Sequence, residues 1–465
     1  MEIFRSIIEQ TNTFLWSYVL VAVLLGCAIY FTFRCRFVQF RMIGEMIRVV
    51  GDSTAGGSDR QISSFQAFSI SLASRVGTGN LAGVAIAIAV GGAGAVFWMW
   101  VVALIGAASA FVESTLAQLY KRRNGDSFIG GPAYYMESGL GARWMGVLFA
   151  VLISITFGFA FNSVQSNTIC GALEHSFNFN PSIVGVVLTV ITLGVIFGGI
   201  HRIAKVSSII VPVMALGYIL LALFVVAINI TSLPSVIMQI VGGAFGWSQA
   251  IGGVFGATLN AGIKRGLFSN EAGMGAAPNV AATASVTHPV KQGLIQTLGV
   301  FVDTLLICSS TAIIILLNQE GIDPSKSGIQ ITQQALTNEI GAVGGLYITI
   351  AILLFSFSSI IGNYYYGEAN VRFITPRRWV LQLYRVAVGA MVMLGAMVTL
   401  DDTIVFSDLM MALMTLCNLV AIVLLGKKAM LLLDDYRSQL KKGVKSPVFA
   451  KESLSELDDR GVECW

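Results

Sequence analysis

Long apolar runs separated by short polar or basic stretches make up most of this chain. Eleven of them, at 14–33, 64–92, 94–120, 145–169, 183–200, 206–229, 259–287, 292–318, 342–366, 383–400 and 405–427, approach or exceed the ~20 residues that a helix needs to cross the bilayer core. The pattern predicts an all-α polytopic membrane protein with about eleven transmembrane helices. The seventh run is rich in Gly, Ala, Asn and Ser, and it counts as a span only through its place in a repeat. With the first run set aside, the starts of the next five runs and of the last five differ by 195, 198, 197, 200 and 199 residues. Five spans per half is odd, so the halves enter the membrane from opposite faces, as an inverted repeat. The expected organisation is an extra N-terminal helix and loop (1–63), a first repeat (64–230), an extracellular hairpin (231–258), a second repeat (259–427) and a mobile cytoplasmic tail (428–465).

The first span of each half is interrupted. Ser71-Leu-Ala-Ser-Arg-Val-Gly-Thr-Gly-Asn80 breaks one, and Asn270-Glu-Ala-Gly-Met-Gly-Ala-Ala-Pro-Asn279 breaks the other. Glycine and proline free backbone groups there, and hydrocarbon tolerates this only where the opened backbone is buried or lines a cavity. Paired breaks in two halves of a chain point to the binding site of a secondary transporter. The competing reading is two glycine-rich packing faces, since small residues also let membrane helices approach closely.

Composition agrees with a membrane protein. The 465 residues are 55% hydrophobic and only 12% charged, against about 25% charged in soluble domains. The net charge of +4 is no nucleic-acid signature, because the basic residues alternate with spans. One set of loops and the tail carries 23 Lys and Arg residues, among them Arg34, Arg36, Arg41 and Arg60, and the other set carries only Arg5 and Lys326. The positive-inside rule makes the basic side cytoplasmic. The N-terminus is then outside and the C-terminus inside, in a bacterial inner membrane. The six cysteines form no CxxC pair, and His175, His201 and His288 form no HExxH or triad pattern, which argues against a metalloenzyme. With no GxxxxGK[ST] stretch, the chain does not drive pumping with ATP by itself.

The segments Val76-Gly-Thr-Gly-Asn-Leu-Ala-Gly-Val84, Gly130-Gly-Pro-Ala-Tyr-Tyr135, Arg265-Gly-Leu-Phe-Ser-Asn-Glu-Ala-Gly-Met-Gly-Ala-Ala-Pro278 and Gly362-Asn-Tyr-Tyr-Tyr-Gly-Glu368 strongly resemble the alanine or glycine:cation symporter family. The likeness runs from about Ser64 to Leu425. It implies sodium-coupled uptake of small neutral amino acids and the five-plus-five fold of the amino acid-polyamine-organocation superfamily. Sodium is then the co-transported ion, and membrane lipid is the solvent. A proton-coupled transporter of the same fold is the alternative.

A zwitterion presents a carboxylate and an ammonium. Half-helix N-termini suit the first, and unwound carbonyls suit the second and sodium. Thr78 and Gly79 are expected at the carboxylate, with Asn270, Gly273, Met274 and Gly275 of the second break nearer the ammonium and the pocket wall. The opposing view has Thr78 bonding its own helix. The resemblance places Gln165 at the pocket and likens Phe268 to an outer gate, with Phe161 as a wall; for these phenylalanines simple packing is the rival. It also implies a sodium site of Ala73, Val76, Ser358 and Ser359, with Ser359 close to the substrate, against serines merely tucked onto their own helix. A second sodium site from Asn80, Ser269 and Asp303 is less favoured, because Arg75 is adjacent. The chain departs from many relatives at Asn363, where they carry tryptophan, so the expected pocket is roomier and more polar, open to serine and glutamine. Arg75, Glu113, Glu271, Asp303 and Glu368 are expected to pair, since charge inside the membrane is costly.

Overall fold

The computed structural model describes residues 10–54, 61–246, 252–318, 323, 326, 328–397, 400–453 and 460–465. Arg5, Arg60 and Trp247 lie outside these residues. Helices run through all eleven apolar stretches. In chain order they are α1 (Gln10–Arg34), the short α2 (Val38–Arg41), α3 (Ile43–Thr54), the bent pair α4 (Ser64–Arg75) and α5 (Gly79–Gly91), α6 (Gly94–Leu119), α7 (Pro132–Leu140), α8 (Arg143–Phe177), α9 (Pro181–Ile196) and α10 (Gly199–Ile228). Then follow α11 (Leu233–Ala244), α12 (Gly252–Asn270), α13 (Pro278–Ala281), α14 (Pro289–Leu317), α15 (Ile329–Ile340), α16 (Ala342–Ile374), α17 (Arg378–Gly395) and α18 (Leu400–Lys441). An antiparallel hairpin, β1 (Arg122–Asn124) with β2 (Ser127–Ile129), follows α6, with Arg122 opposite Ile129.

Among the described residues, seven helices are long and apolar enough to cross a bilayer, and the pair α4–α5, bent by 47°, supplies an eighth crossing. Helix α9 is apolar but shorter, and α12 is diluted by Gly, Asn and Lys. Helix α4 starts on a reciprocal capping box: Gln66 N–H donates to Ser63 Oγ (3.1 Å) and Ser63 N–H to Gln66 Oε1 (3.0 Å), which satisfies two orphan donors. Helices α5, α8 and α14 each contain a π-helical turn, at Gly79–Gly83, Thr156–Phe161 and Phe301–Cys308. Such turns expose backbone and cluster at functional sites. Two large apolar clusters fill the interior. The outward faces of α9, α10 and α17 carry exposed Val, Ile, Leu and Phe, as lipid-facing helices do.

The end of the chain is not the free tail its polarity suggests. Helix α18 continues to Lys441, well past the apolar run that stops at 427. Phe449 N–H donates to Thr287 O (2.8 Å), and Trp465 Nε1 donates to Gln118 O (2.9 Å). The Lys121 ammonium sits between the rings of Phe128 (4.2 Å) and Trp465 (4.3 Å), a cation–π pairing that favours docking. His288 is buried against Tyr436 and Phe449, with Nε2 3.1 Å from Asp435. Two aromatic residues in a charged segment supply the anchoring, and composition alone averages them away.

Burial pushes the His288 imidazole below its ordinary value, against the opposing pull of Asp435. The docked tail therefore favours neutral His288, while the undocked chain binds a proton more readily. Docking stability is present above the free imidazole value of about 6.5 and is lost as pH falls below it. Hydrogen exchange of the amides near Phe449, corrected for its intrinsic pH dependence, should quicken from about pH 7.5 to about pH 5.5. His288→Asn should remove that pH response.

Candidate functional site

The helical ladder of α4 stops at Arg75, and Val76 (φ −83°, ψ 90°) turns the chain out before α5 begins. The carbonyls of Ala73 and Val76 lack intrahelical partners there. Ser359 of α16 reaches both, its Oγ lying 2.8 Å from Ala73 O and 3.3 Å from Val76 O, as well as 3.0 Å from Phe355 O on its own helix. On the other side of the break the donors of α5 begin: Thr78 N–H donates to Gln165 Oε1 (3.0 Å) and Gly77 N–H to Asn80 Oδ1 (2.9 Å). A Cβ on Gly77 would overlap Ser359 Oγ and crowd the Gln165 amide. Glycine is therefore required where the two side chains converge on the backbone.

The second break is opened by Glu271, a non-glycine residue at φ 57°, followed by Gly273 at φ 80° and Gly275 at φ 85°. Its freed donors point at one carboxylate. Gly273 N–H reaches Glu113 Oε1 (3.2 Å), and Gly275 N–H reaches Glu113 Oε2 (3.0 Å). Asn418 Nδ2 lies 2.8 Å from Glu113 Oε2 and 2.9 Å from Gly273 O, and Tyr135 OH donates to Asn418 Oδ1. Glu113 on α6 and Asn418 on α18 thus hold the opened strand from two sides.

The two breaks touch. Ser74 Oγ is 2.9 Å from Glu271 Oε1. Asp303 of α14 bridges them, accepting from Asn80 Nδ2 (2.6 Å) of the first and Ser269 Oγ (2.8 Å) of the second. A Cβ on Gly79 would lie 3.0 Å from the Phe268 ring. The buried Arg75 donates to Gln296 O (3.1 Å), while its Nε and Nη2 are buried without a hydrogen-bond partner. Thr78 Oγ1 and Asn270 Nδ2 at the breaks are likewise buried without a hydrogen-bond partner, so each has bonding capacity left for a ligand or water.

The remaining candidates fall on both sides of this geometry. Phe268 stacks at a tilt on Phe161 (centroids 4.7 Å), and Arg265 lies over Phe268 at 5.8 Å, next to Asp408. Ser358 turns away from the break: its hydroxyl donates to Phe355 O (2.8 Å) on its own helix and lies 3.8 Å from Met214 sulfur. The backbone of Gly273 and Gly275 is engaged by Glu113 and Asn418, and Met274 is wholly buried. Asn363 does not offer a free amide; Oδ1 is 2.6 Å from Ser74 Oγ, and Nδ2 donates to Asn162 Oδ1 (3.1 Å). Glu368 pairs with Arg372 (2.8 Å) and bonds Tyr364 at the far end of α16. Ser74, Gln296, Asn418 and Tyr366, whose hydroxyl donates to Glu271 Oε2 (3.2 Å), were not anticipated. A single serine, amide or tyrosine in an apolar helix carries no motif, and only the fold aims it at a break.

A sequence profile described as the sodium:alanine symporter family matches residues 1–451. The chain is 53% identical over 462 residues to a Bacillus subtilis protein named amino-acid carrier protein AlsT, covering 99% of this chain and 98% of that one. It is 52% identical over 464 residues to the Bacillus subtilis probable sodium/glutamine symporter GlnT, covering 100% of this chain and 96% of that one. The crystal structure of MhsT in complex with L-phenylalanine superposes with a TM-score of 0.58 at 16% identity, over 78% of this chain and 89% of the other, which shows a shared fold.

The clamp on the second break is open to direct test. Glu113→Gln keeps the shape but replaces one acceptor with a donor that faces backbone N–H groups or Asn418. A buried donor left unsatisfied costs about 1–3 kcal/mol. The variant should melt at a clearly lower temperature in detergent and lose amino acid uptake by more than about tenfold. Unchanged melting and uptake would contradict the clamp.

Proposed function

The chain belongs to the sodium:alanine symporter family, and on that premise we propose that it imports small neutral amino acids with sodium by alternating access. The observation that carries this reading is the first break. One rim offers the carbonyls of Ala73 and Val76 to the Ser359 hydroxyl, and the other offers the Thr78 N–H to an acceptor oxygen. Cation and carboxylate chemistry thus lie a few residues apart.

In the proposed cycle sodium takes the carbonyl–hydroxyl side, since it prefers hard oxygen ligands. Ala73, Val76 and Ser359 supply three of these, and Ser358 joins by rotation about χ1. The substrate carboxylate displaces Gln165 Oε1 from Thr78 N–H and gains the N-terminal dipole of α5 at Gly79. The unpartnered Thr78 Oγ1 and Asn270 Nδ2 add donors. The ammonium goes to the C-terminal carbonyls of α12 rather than to the backbone of Gly273 and Gly275, which Glu113 and Asn418 hold. Asn80 and Ser269 both donate to Asp303, so a second sodium there stays the less favoured site. Phe268 with Phe161 acts as the outer gate, which closes before the basic side opens. That side is cytoplasmic by the positive-inside rule.

Alanine, glycine, serine and glutamine are the proposed substrates. Likeness to a protein named as a glutamine symporter supports glutamine. Asn363 favours it through its small volume, because its amide is spent on Ser74 and Asn162.

Proton coupling is the second reading, and Ser74 favours it. A hydroxyl owns one hydrogen. Asn162 Nδ2 donates to Gly158 O (3.3 Å), so Asn162 Oδ1 accepts from Asn363 and Asn363 Oδ1 takes the Ser74 hydrogen. The Ser74–Glu271 contact of 2.9 Å then calls for a proton carried by Glu271.

Radiolabelled uptake into proteoliposomes separates the two. Replacing sodium with potassium should abolish uptake of all four amino acids, while collapse of the proton gradient leaves it intact. Ser359→Ala should raise the sodium concentration for half-maximal uptake at least about tenfold, the loss of one good ligand. Uptake that ignores sodium and follows the proton gradient would replace the first reading with the second.

A further inference from the structure

A basic cavity of about 200 Å³ lies where the end of α1 meets the last turns of α18. Arg36, Arg41, Arg437 and Lys441 surround it, and its floor is apolar, formed by Val38, Met42 and Leu433. Acidic relief is small. Asp434 lies 3.5 Å from Arg36 and 4.0 Å from Arg437 while largely exposed to solvent. Arg41 donates to the Arg36 carbonyl at 3.5 Å. Among the described residues, four cations thus face one exposed carboxylate, on a surface that is greasy underneath.

The setting is a membrane interface. The apolar span α1 ends at Arg34, one residue before the cavity. Phe33, Phe37 and Phe40 are exposed beside it, and so are Ile43 and Ile47 of α3. Exposed rings and aliphatic side chains interleaved with Arg and Lys are what the headgroup region selects. The turn into the cavity is strained, since Arg36 (φ 54°) and Phe37 (φ 57°) are both left-handed without being glycine. It sends a cation and a ring out from adjacent positions.

We propose that this cavity binds the phosphate headgroup of an anionic phospholipid from the surrounding bilayer. The four cations hold the phosphate. The apolar floor takes the glycerol backbone, and the acyl chains run over Phe33, Phe37 and Phe40. A free phosphate would use the cations but leave the floor and the aromatic strip without a role. The lipid ties α1 to α18, the helix that brings Asn418 to the second break. The proposal rests on the chain being membrane-embedded and not on its cargo, so it stands or falls separately from sodium coupling.

The test uses the purified full chain in phosphatidylcholine nanodiscs with and without phosphatidylglycerol. Retained lipid is read by native mass spectrometry, and the thermal midpoint is recorded in parallel. One phosphatidylglycerol should remain bound and raise the midpoint, and phosphatidylcholine should do neither. Each juxtamembrane cation is worth about fivefold in affinity for an anionic surface. Arg41→Gln with Lys441→Gln should therefore weaken retention roughly thirtyfold, the product of two such steps. Arg41→Lys should restore most of it and so separate lost charge from misfolding. Arg122→Gln with Arg123→Gln, on the β-hairpin, should leave retention unchanged. Equal retention by the cavity variants would overturn the proposal. So would displacement of the lipid by inorganic phosphate, which would mark a site for a free anion.

Discussion

A broken helix inside a bilayer must hide its freed backbone groups; here one buried carboxyl group does that at the second break, and two amides and a hydroxyl do it at the first. The N–H groups of Gly273 and Gly275 have no ladder to join, and water is excluded from their surroundings. Glu113 accepts both. An unpaired donor would cost several kcal/mol in such a place, so the second break depends on the carboxyl oxygens that α6 aims at it. Asn418 and Tyr135 then fix the carboxylate from α18 and α7. The anchor also confines the glycines. Their backbone serves the clamp, and ligand chemistry falls to neighbouring groups such as Asn270 and Thr78.

The same logic links the two breaks. Asp303 takes one donor from each, and Ser74 joins α4 to Glu271. A ligand that draws on these groups therefore changes how tightly the broken helices are held together. Ion binding and helix movement become a single problem. This is the physical content of coupling, because a ligand shifts a conformational equilibrium only by its differential affinity for the two forms.

Much of the architecture was legible in the sequence. Helices run through the apolar stretches, and among the described residues seven, or eight with the bent pair, are long and apolar enough to cross a bilayer; the Gly-Thr-Gly and Gly-Met-Gly stretches marked where two helices open. The family resemblance aimed Ser359 at the first break, and its Oγ lies 2.8 Å from Ala73 O and 3.3 Å from Val76 O. Ser358, one residue earlier, lies about 100° around the same helix and faces Met214 instead. The clamp was illegible for a different reason. Glu113 stood out as a charge in an apolar run, but nothing local showed that its partners were backbone groups more than 150 residues away. The tail was misread because hydropathy averages over Phe449 and Trp465, whose contacts with His288 and Lys121 decide its position.

The central claim is that sodium and the amino acid bind side by side at the meeting of two opened helices. Linked binding to the purified protein tests it most directly. Sodium should lower the Kd for alanine by some factor, alanine should lower the Kd for sodium by the same factor, and Ser359→Ala should bring that factor close to one. Alanine binding of equal strength in sodium and in potassium would contradict the account.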